Sequence, residues 1–373
     1  MTTIRVDAAP APAPAPGGGY DVLVGRGILA DLPRLLAERC PAHLYAVVTD
    51  SRVAELHARR VAAMLEQAGL AARLFVFPAG EWNKVRSTWS ELCDQLLAAH
   101  VGRDGAVVAV GGGVVGDLAG FVAATLHRGI PVVQVPTTTL AMIDASVGGK
   151  TGLDVPAGKN LVGAFHSPRF VLSDIDTLAT LPRNQIAAGL AEAVKHGIVA
   201  DAAYADRVAR AATACLARSP EILEPIVTRG IAIKAEIIAA DPAERGLRQT
   251  LNFGHTIGHA VEARSGYDLL HGEAVAIGMA TEAWLAEELG IACTGTRQAV
   301  LDLLAAFDLP STVPAALASE QLLETMLHDK KVRAGAVRFA LPASVGRMAQ
   351  SADGAWTVDV ARALIVRAIE ANR

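Results

Sequence analysis

Several groups of residues in this 373-residue chain have the types and spacing for chemistry. The first is rich in glycine. An apolar run over residues 106–110 enters Gly111-Gly112-Gly113-Val114-Val115-Gly116-Asp117-Leu118-Ala119-Gly120, so that Gly111, Gly113 and Gly116 satisfy G-x-G-x-x-G between a strand pattern and a helix pattern. Such a loop lets the backbone approach a pyrophosphate, whose charge rests on the N–H groups of the helix start. The same glycines would also serve tight strand-to-helix packing. A dinucleotide fingerprint wants an acid ~20 residues further on for the ribose hydroxyls, and residues 128–140 contain none. Asp50, at the end of an earlier strand-like run, can stand in for it; a cap or turn role is the plain alternative.

The second group has metal-ligand character. It comprises Gly189-Leu-Ala-Glu192-Ala-Val-Lys195-His196-Gly197, Leu251-Asn252-Phe-Gly254-His255-Thr-Ile-Gly-His259, and Leu270-His271-Gly272-Glu273. Glu192, His255 and His271 supply one carboxylate and two imidazoles. That set suits zinc, would also hold cobalt, and leaves positions open for substrate oxygens. His255 and His259 share a helix face, so both bind metal, or one binds metal and the other substrate. His43, His57, His100 and His328 lack glycine-flanked settings and read as surface residues. Neither H-E-x-x-H nor a Ser/His/Asp arrangement stands out.

The third group is cationic. Arg128, Lys150, Lys159, Lys195, Lys234 and Arg248 lie in or beside apolar or glycine-rich stretches. Val147-Gly-Gly-Lys150-Thr-Gly and Pro156-Ala-Gly-Lys159-Asn160 read as loops with lysine at the tip, donors to phosphate or carboxylate. Asp329-Lys330-Lys331 reads as a solvated turn or as a segment closing over an anion.

Positioning these groups takes about two domains, at about 150 residues each. Hydrophobic residues are 52% and charged residues 19%, ample for cores. A net charge of -4 and 4% aromatics argue against a nucleic-acid partner. Four scattered cysteines exclude a disulfide scaffold or a Cys-based zinc site and fit a reducing compartment. No charge-free apolar run reaches ~18 residues, so no membrane span is expected. Residues 1–19, threaded with Ala-Pro pairs, read as a disordered tail. Strand and helix patterns then alternate: strands at 20–24, 43–49, 72–77, 105–110 and 131–135; helices at 28–39, 51–69 (with Ser51 as N-cap), 84–100 and 117–127. This predicts an α/β N-terminal domain over 20–180 with a parallel, Rossmann-like nucleotide-binding sheet. A mostly α-helical metal- and substrate-binding domain follows over 181–373. Its helices are expected at 185–198, 202–217, 220–240, 252–265, 272–289 and 296–307, with one late strand at 337–342.

In these motifs the chain resembles the 3-dehydroquinate synthase branch of the sugar phosphate cyclase family. The resemblance rests on Gly111-Gly-Gly-Val-Val-Gly-Asp117-Leu-Ala-Gly-Phe121, Val135-Pro-Thr-Thr138, Asp144-Ala-Ser-Val-Gly-Gly-Lys-Thr151, Gly158-Lys-Asn160, Gly189-Leu-Ala-Glu192, Asn252-Phe-Gly-His255 and His271-Gly-Glu273, in family order over about residues 20–342. It implies a cytoplasmic shikimate-pathway enzyme converting 3-deoxy-D-arabino-heptulosonate 7-phosphate to 3-dehydroquinate and phosphate. The implied route is transient NAD-dependent oxidation, phosphate elimination, re-reduction and aldol closure, with NAD and Zn2+ or Co2+ as cofactors. It assigns Glu192, His255 and His271 to the metal, and Lys234 and Arg248 to the substrate carboxylate. Lys150, Asn160, Asn252, His259 and one of Lys330 or Lys331 go to the phosphate. Asp144, Lys159 and Lys195 go to the hydroxyls and nicotinamide. Asp50, Glu81, Lys84, Gly113, Val114, Val115, Gly116, Asp117, Thr137, Thr138, Thr177, Leu178, Ala179 and Thr180 go to NAD, with Lys150 and Lys159 also near it. Arg128 matches an arginine that reaches the partner's site in a homodimer. The competing readings are another sugar phosphate cyclase (aminodehydroquinate or 2-epi-5-epi-valiolone synthase type), a metal-dependent polyol dehydrogenase, and an inactive nucleotide-binding scaffold.

Overall fold

The computed structural model describes residues 1–7, 19–156, 158–266, 268–327, 332–333 and 336–373. Lys330, Lys331 and His328 lie outside the described residues. The chain divides into two compact units: Met1–Pro182 with Leu223–Pro242, and Arg183–Ile222 with Ala243–Arg373.

The first unit is built on a seven-stranded sheet. Its strands are β1 (Thr2–Val6), β2 (Tyr20–Gly25), β3 (Tyr45–Asp50), β4 (Ala72–Phe77), β5 (Ala106–Gly111), β6 (Val132–Pro136) and β9 (Phe170–Asp174), in the order β1-β2-β9-β6-β5-β3-β4. All neighbours run parallel except β1 and β2. The strands read as continuous apolar runs because both faces are covered. Tyr45 and Val47 enter one core with Val108, Val110, Val133 and Leu172. Ala46 and Val48 enter the other with Val107, Ala109, Val132 and Leu118. Period-2 alternation therefore sends hydrophobic side chains to both sides.

The parallel sheet agrees with the sequence expectation, and several details differ. Thr2–Val6, expected within a disordered tail, is a strand: its alternating backbone pairs from Thr2↔Val24 to Val6↔Tyr20. The Lys150 and Lys159 segments, expected as loops, form an antiparallel hairpin, β7 (Lys150–Val155) with β8 (Gly158–Phe165). Glycine is needed there for closeness, since a Cβ at Gly163 would stand 2.1 Å from the Thr151 carbonyl oxygen. The expected N-cap Ser51 is already helical, and Asp50 caps instead, its Oδ1 accepting from the N–H groups of Arg52 and Val53 at 2.8 and 2.9 Å. The helix expected from Asp117 begins at Gly113. Glycine's poor helix propensity hides that start, and packing overrides it. Strand β9 went unrecognised because five residues ending in Ser-Asp carry little periodicity.

The second unit is mainly helical. Its long helix Arg183–Ala200 is buried on every side over residues 186–199. The helices His255–Arg264, His271–Glu288 and Thr296–Ala305 follow near their expected places. Two helices that sequence patterning did not pick out, Ser319–Leu327 and Arg362–Ala371, close the core around Ile257, Val261, Ile277 and Leu285. The late strand expected at 337–342 is Ala336–Phe339.

Candidate active site

In the first unit the assigned residues gather at the carboxyl ends of the parallel strands. The connection reverses direction at β3, which has β4 on one side and β5 on the other. A crevice at such a reversal is where open α/β sheets take ligands. Asp50 ends β3, the Gly113–Thr125 helix follows β5, Thr137 and Thr138 follow β6, and Thr177, Leu178, Ala179 and Thr180 form a 3-10 turn after β9. The first N–H groups of the Gly113 helix have no carbonyl four residues earlier within it, the property that suits a bound phosphate. Close packing explains the glycines. A Cβ on Gly111 would lie 2.5 Å from Val115, and one on Gly116 2.9 Å from Oε1 of Gln134. Thr137 donates its N–H to the Gly111 carbonyl at 2.9 Å, tying the ends of β5 and β6.

Beside this edge lies a charged cluster. Lys84, only 3% exposed, places Nζ 3.0 Å from Asp117, 3.4 Å from Glu81 and 3.9 Å from Asp154. Lys159 Nζ lies 2.8 Å from Glu81. Burial alone would pull the Lys84 ammonium down, but Asp117, Glu81 and Asp154 together hold its pKa above the ordinary lysine value. Burial raises the carboxyl of Asp117 against the pull of Lys84. Asp154, which sequence reasoning missed, accepts the Asn160 N–H at 2.8 Å and donates its own N–H to the Lys84 carbonyl at 2.7 Å. It thereby holds Asn160 at a φ of 52°.

Lys234, on the helix Pro220–Ala240, donates to Asp144 at both Oδ1 (2.8 Å) and the backbone carbonyl (2.7 Å). Two residues singled out far apart in sequence thus meet. Lys150 opens β7 and is exposed. Arg128 is exposed on a segment in which His127, Arg128 and Gly129 all have positive φ (51°, 69° and 118°). That backbone is costly for non-glycine residues. It is held by the His127 ring bonded to the Val101 carbonyl at 2.9 Å and by Ile130 donating to Ala123 at 2.8 Å.

In the second unit Glu192, His255 and His271 converge, each offering a ligand atom within 4.8 Å of the others. Glu192 is 0% exposed on a helix buried all round, where a carboxylate needs a partner. Among the described residues neither of its oxygens has a hydrogen-bond donor in good geometry, although Lys195 Nζ lies against Oε2. Oε1 faces Nε2 of His255 at 3.6 Å and Nε2 of His271 at 3.8 Å. Two ligands bound tetrahedrally at about 2.0–2.2 Å stand about 3.4 Å apart, so the opening fits a small divalent ion. The second ring nitrogens complete the fit. His255 Nδ1 faces the Phe253 carbonyl at 3.1 Å, and His271 Nδ1 faces Glu262 Oε2 at 3.2 Å. With Nδ1–H donating to those acceptors, each Nε2 turns its lone pair inward. The His255 and His271 rings lie 5.4 Å apart, and His259 packs beside both, its centroid 5.2 Å from His255 and 5.9 Å from His271. Arg248 is buried on the turn Leu247–Asn252, and Asn252 donates to Glu244 at 3.2 Å.

Glu244, Glu262 and Glu282 were not singled out from sequence. Glu282 is wholly buried and accepts the N–H groups of Gly254, Thr256 and Ile257. The signal available for Glu262 and Glu282 was a lone acid within an apolar helical run.

Residues 74–188 match the family model described as 3-dehydroquinate synthase N-terminal, and residues 189–332 that described as 3-dehydroquinate synthase C-terminal. The 3-dehydroquinate synthase of Symbiobacterium thermophilum is 47% identical over 336 residues, 90% of this chain and 94% of that one. That of Pelobacter propionicus is 46% identical over 88% of this chain and 91% of its own. A 2-deoxy-scyllo-inosose synthase solved with carbaglucose-6-phosphate, NAD+ and Co2+ superposes with a TM-score of 0.90 at 27% identity, covering 100% of both chains. The 2-epi-5-epi-valiolone synthase of Streptomyces hygroscopicus, solved with NAD+ and Zn2+, gives 0.85 at 30%, covering 94% of this chain and 96% of its own. Glycerol dehydrogenase from Schizosaccharomyces pombe, at 18% identity and a TM-score of 0.65, shares the fold.

Proposed function

The chain belongs to the 3-dehydroquinate synthase family, and from that premise we propose that it converts 3-deoxy-D-arabino-heptulosonate 7-phosphate to 3-dehydroquinate and phosphate. The reaction would make it a carbon–oxygen lyase of the shikimate pathway. The observation that carries the reading is identity of 46–47% to 3-dehydroquinate synthases over about nine-tenths of the chain. The convergence of Glu192, His255 and His271 supports it. When bound, NAD+ accepts and returns a hydride, and zinc or cobalt polarises the substrate's hydroxyls.

The chain's own residues bind and orient. We assign Glu192, His255 and His271 to the ion. Asp50, Glu81, Lys84, residues 113–117, Thr137, Thr138 and residues 177–180 go to the dinucleotide. Lys234 and Arg248 go to the substrate carboxylate. Lys150, Asn160, Asn252 and His259 go to its phosphate, and Asp144, Lys159 and Lys195 to its hydroxyls. Fixed cations of this kind stabilise developing charge without reorganising as the reaction proceeds. The working division places nucleotide binding in residues 20–180 and metal and substrate binding in 181–373. Arg128, exposed on its costly backbone, is assigned to a partner subunit's site in a homodimer. No helix among the described residues is long and apolar enough to cross a membrane, and we place the enzyme in the cytoplasm.

The likeness to 2-epi-5-epi-valiolone synthase favours one second reading, a cyclase acting on a sugar phosphate without a carboxylate. A single assay separates the two. Protein supplied with zinc and catalytic NAD+ is given the heptulosonate phosphate or sedoheptulose 7-phosphate. Phosphate release and nicotinamide absorbance are then followed. Release from the acid without net NADH is expected. Turnover of sedoheptulose 7-phosphate alone would move the chain to the second reading, and stoichiometric NADH would make it a dehydrogenase. Glu192→Gln and His271→Ala should each abolish turnover and weaken metal retention; full activity in a metal-stripped variant would overturn the ligand assignment.

A further inference from the structure

We propose that Glu282 is a positioning residue for the Glu192, His255 and His271 centre: its carboxylate, reaching from the His271–Glu288 helix, clamps the backbone that begins the His255–Arg264 helix. The inference rests on reading that centre as a divalent-metal site. A helix start leaves N–H groups unsatisfied, and the usual remedy is the side chain of its own N-cap. Here the N-cap is Gly254, at a φ of 78°, with no side chain to offer. The neighbouring helix supplies the acceptor instead. Glu282 Oε2 accepts the Gly254 N–H at 2.7 Å, and Oε1 accepts those of Thr256 and Ile257 at 3.1 Å each.

The bonded residues bracket His255, whose ring is held in turn by the Phe253 carbonyl. The two helices touch backbone to backbone. A Cβ on Gly278 would stand 1.9 Å from the Gly254 carbonyl oxygen, and one on Gly258 2.9 Å from that of Ala274. The clamp therefore has no slack. It also has a particular consequence for the metal. His271 begins the helix that carries Glu282, so one rigid element fixes one imidazole directly and the other through three hydrogen bonds. A glutamine at 282 would turn an N–H donor toward backbone N–H groups, and an aspartate would fall one methylene short.

The test compares full-length parent, Glu282→Gln and Glu282→Asp. Zinc affinity is read by chelator competition, and geometry by the visible spectrum after cobalt loading. Leu322→Ala, in the core of the same unit, controls for general destabilisation. Zinc affinity should fall about tenfold or more in Glu282→Gln, the size seen when partners that orient metal ligands are lost. The cobalt bands should shift, and Glu282→Asp should show the same changes to a lesser degree. Leu322→Ala should keep parental affinity. Parental zinc affinity and spectrum in both Glu282 variants, or equal zinc loss in Leu322→Ala, would overturn the proposal while leaving the metal reading intact. A parent that binds neither ion would overturn both.

Discussion

At the scale of single residues, the chemistry centres on Glu192, a buried carboxylate whose Oε1 faces the Nε2 atoms of His255 and His271 at 3.6 and 3.8 Å. Glu192, His255 and His271 are 79 residues apart from first to last, and their spacing alone could not show that they converge; their glycine-flanked settings made them worth singling out. Glu262 escaped because an acid on a helix is usually a solvated one, yet it is buried and takes the outer nitrogen of His271. We predict that Glu262→Gln weakens zinc binding by about 10–100-fold, measured by chelator competition; parental affinity would mean the contact does not orient the ring. The cysteines give a second prediction. Burial pushes the Cys40 thiol up to about 11 and the Cys215 thiol up to about 12, while Cys293 is exposed. Thiolate is the reactive form. Native protein treated with a maleimide and read by mass spectrometry should therefore modify Cys293 first, and Cys40 and Cys215 only after unfolding.

At the scale of elements, the buried parallel strands and long helices declared themselves, because sustained apolar runs and 3.6-residue periodicity leave few alternatives. The β7–β8 hairpin did not. Glycine and lysine in sequence suggest a loop, whereas in the fold Gly152 and Gly163 let two backbones approach. The glycines joining the His255 and His271 helices work similarly and are open to test. Gly278→Ala puts a methyl group against the Gly254 carbonyl and should cost at least the ~1–3 kcal/mol of an overpacked core. Gly290→Ala, with nothing within 4 Å but a φ of 65°, should cost only the ~1–2 kcal/mol of a left-handed residue. Thermal melts should rank Gly278→Ala below Gly290→Ala, and only Gly278→Ala should lose zinc. The reverse order would show that the helices can separate without penalty.

At the scale of the molecule, acid is expected to weaken the fold partly through His166. It is buried in the first unit with Nε2 bonded to the Ile130 carbonyl at 2.9 Å, and burial holds its pKa below the ordinary 6.5. Unfolded chain then binds more protons than folded chain below about pH 6.5, so stability from this group is complete above that value and lost as pH falls through it. Thermal midpoints between pH 5 and 7 should fall less steeply with acid in His166→Gln than in the parent; parallel slopes would exclude His166 as the source. Domain organisation was the least legible level, since linear patterning assigns each stretch to one neighbour, whereas Leu223–Pro242 groups with the first unit after Arg183–Ile222 has begun the second. The order of synthesis inherits this interleaving. A ribosome delivers Asp144 long before Lys234, its hydrogen-bonded lysine, and opens the second unit before the first is finished. Neither unit is one uninterrupted stretch of message, so a gene cut at codon 182 encodes a first unit whose last helix is still to come.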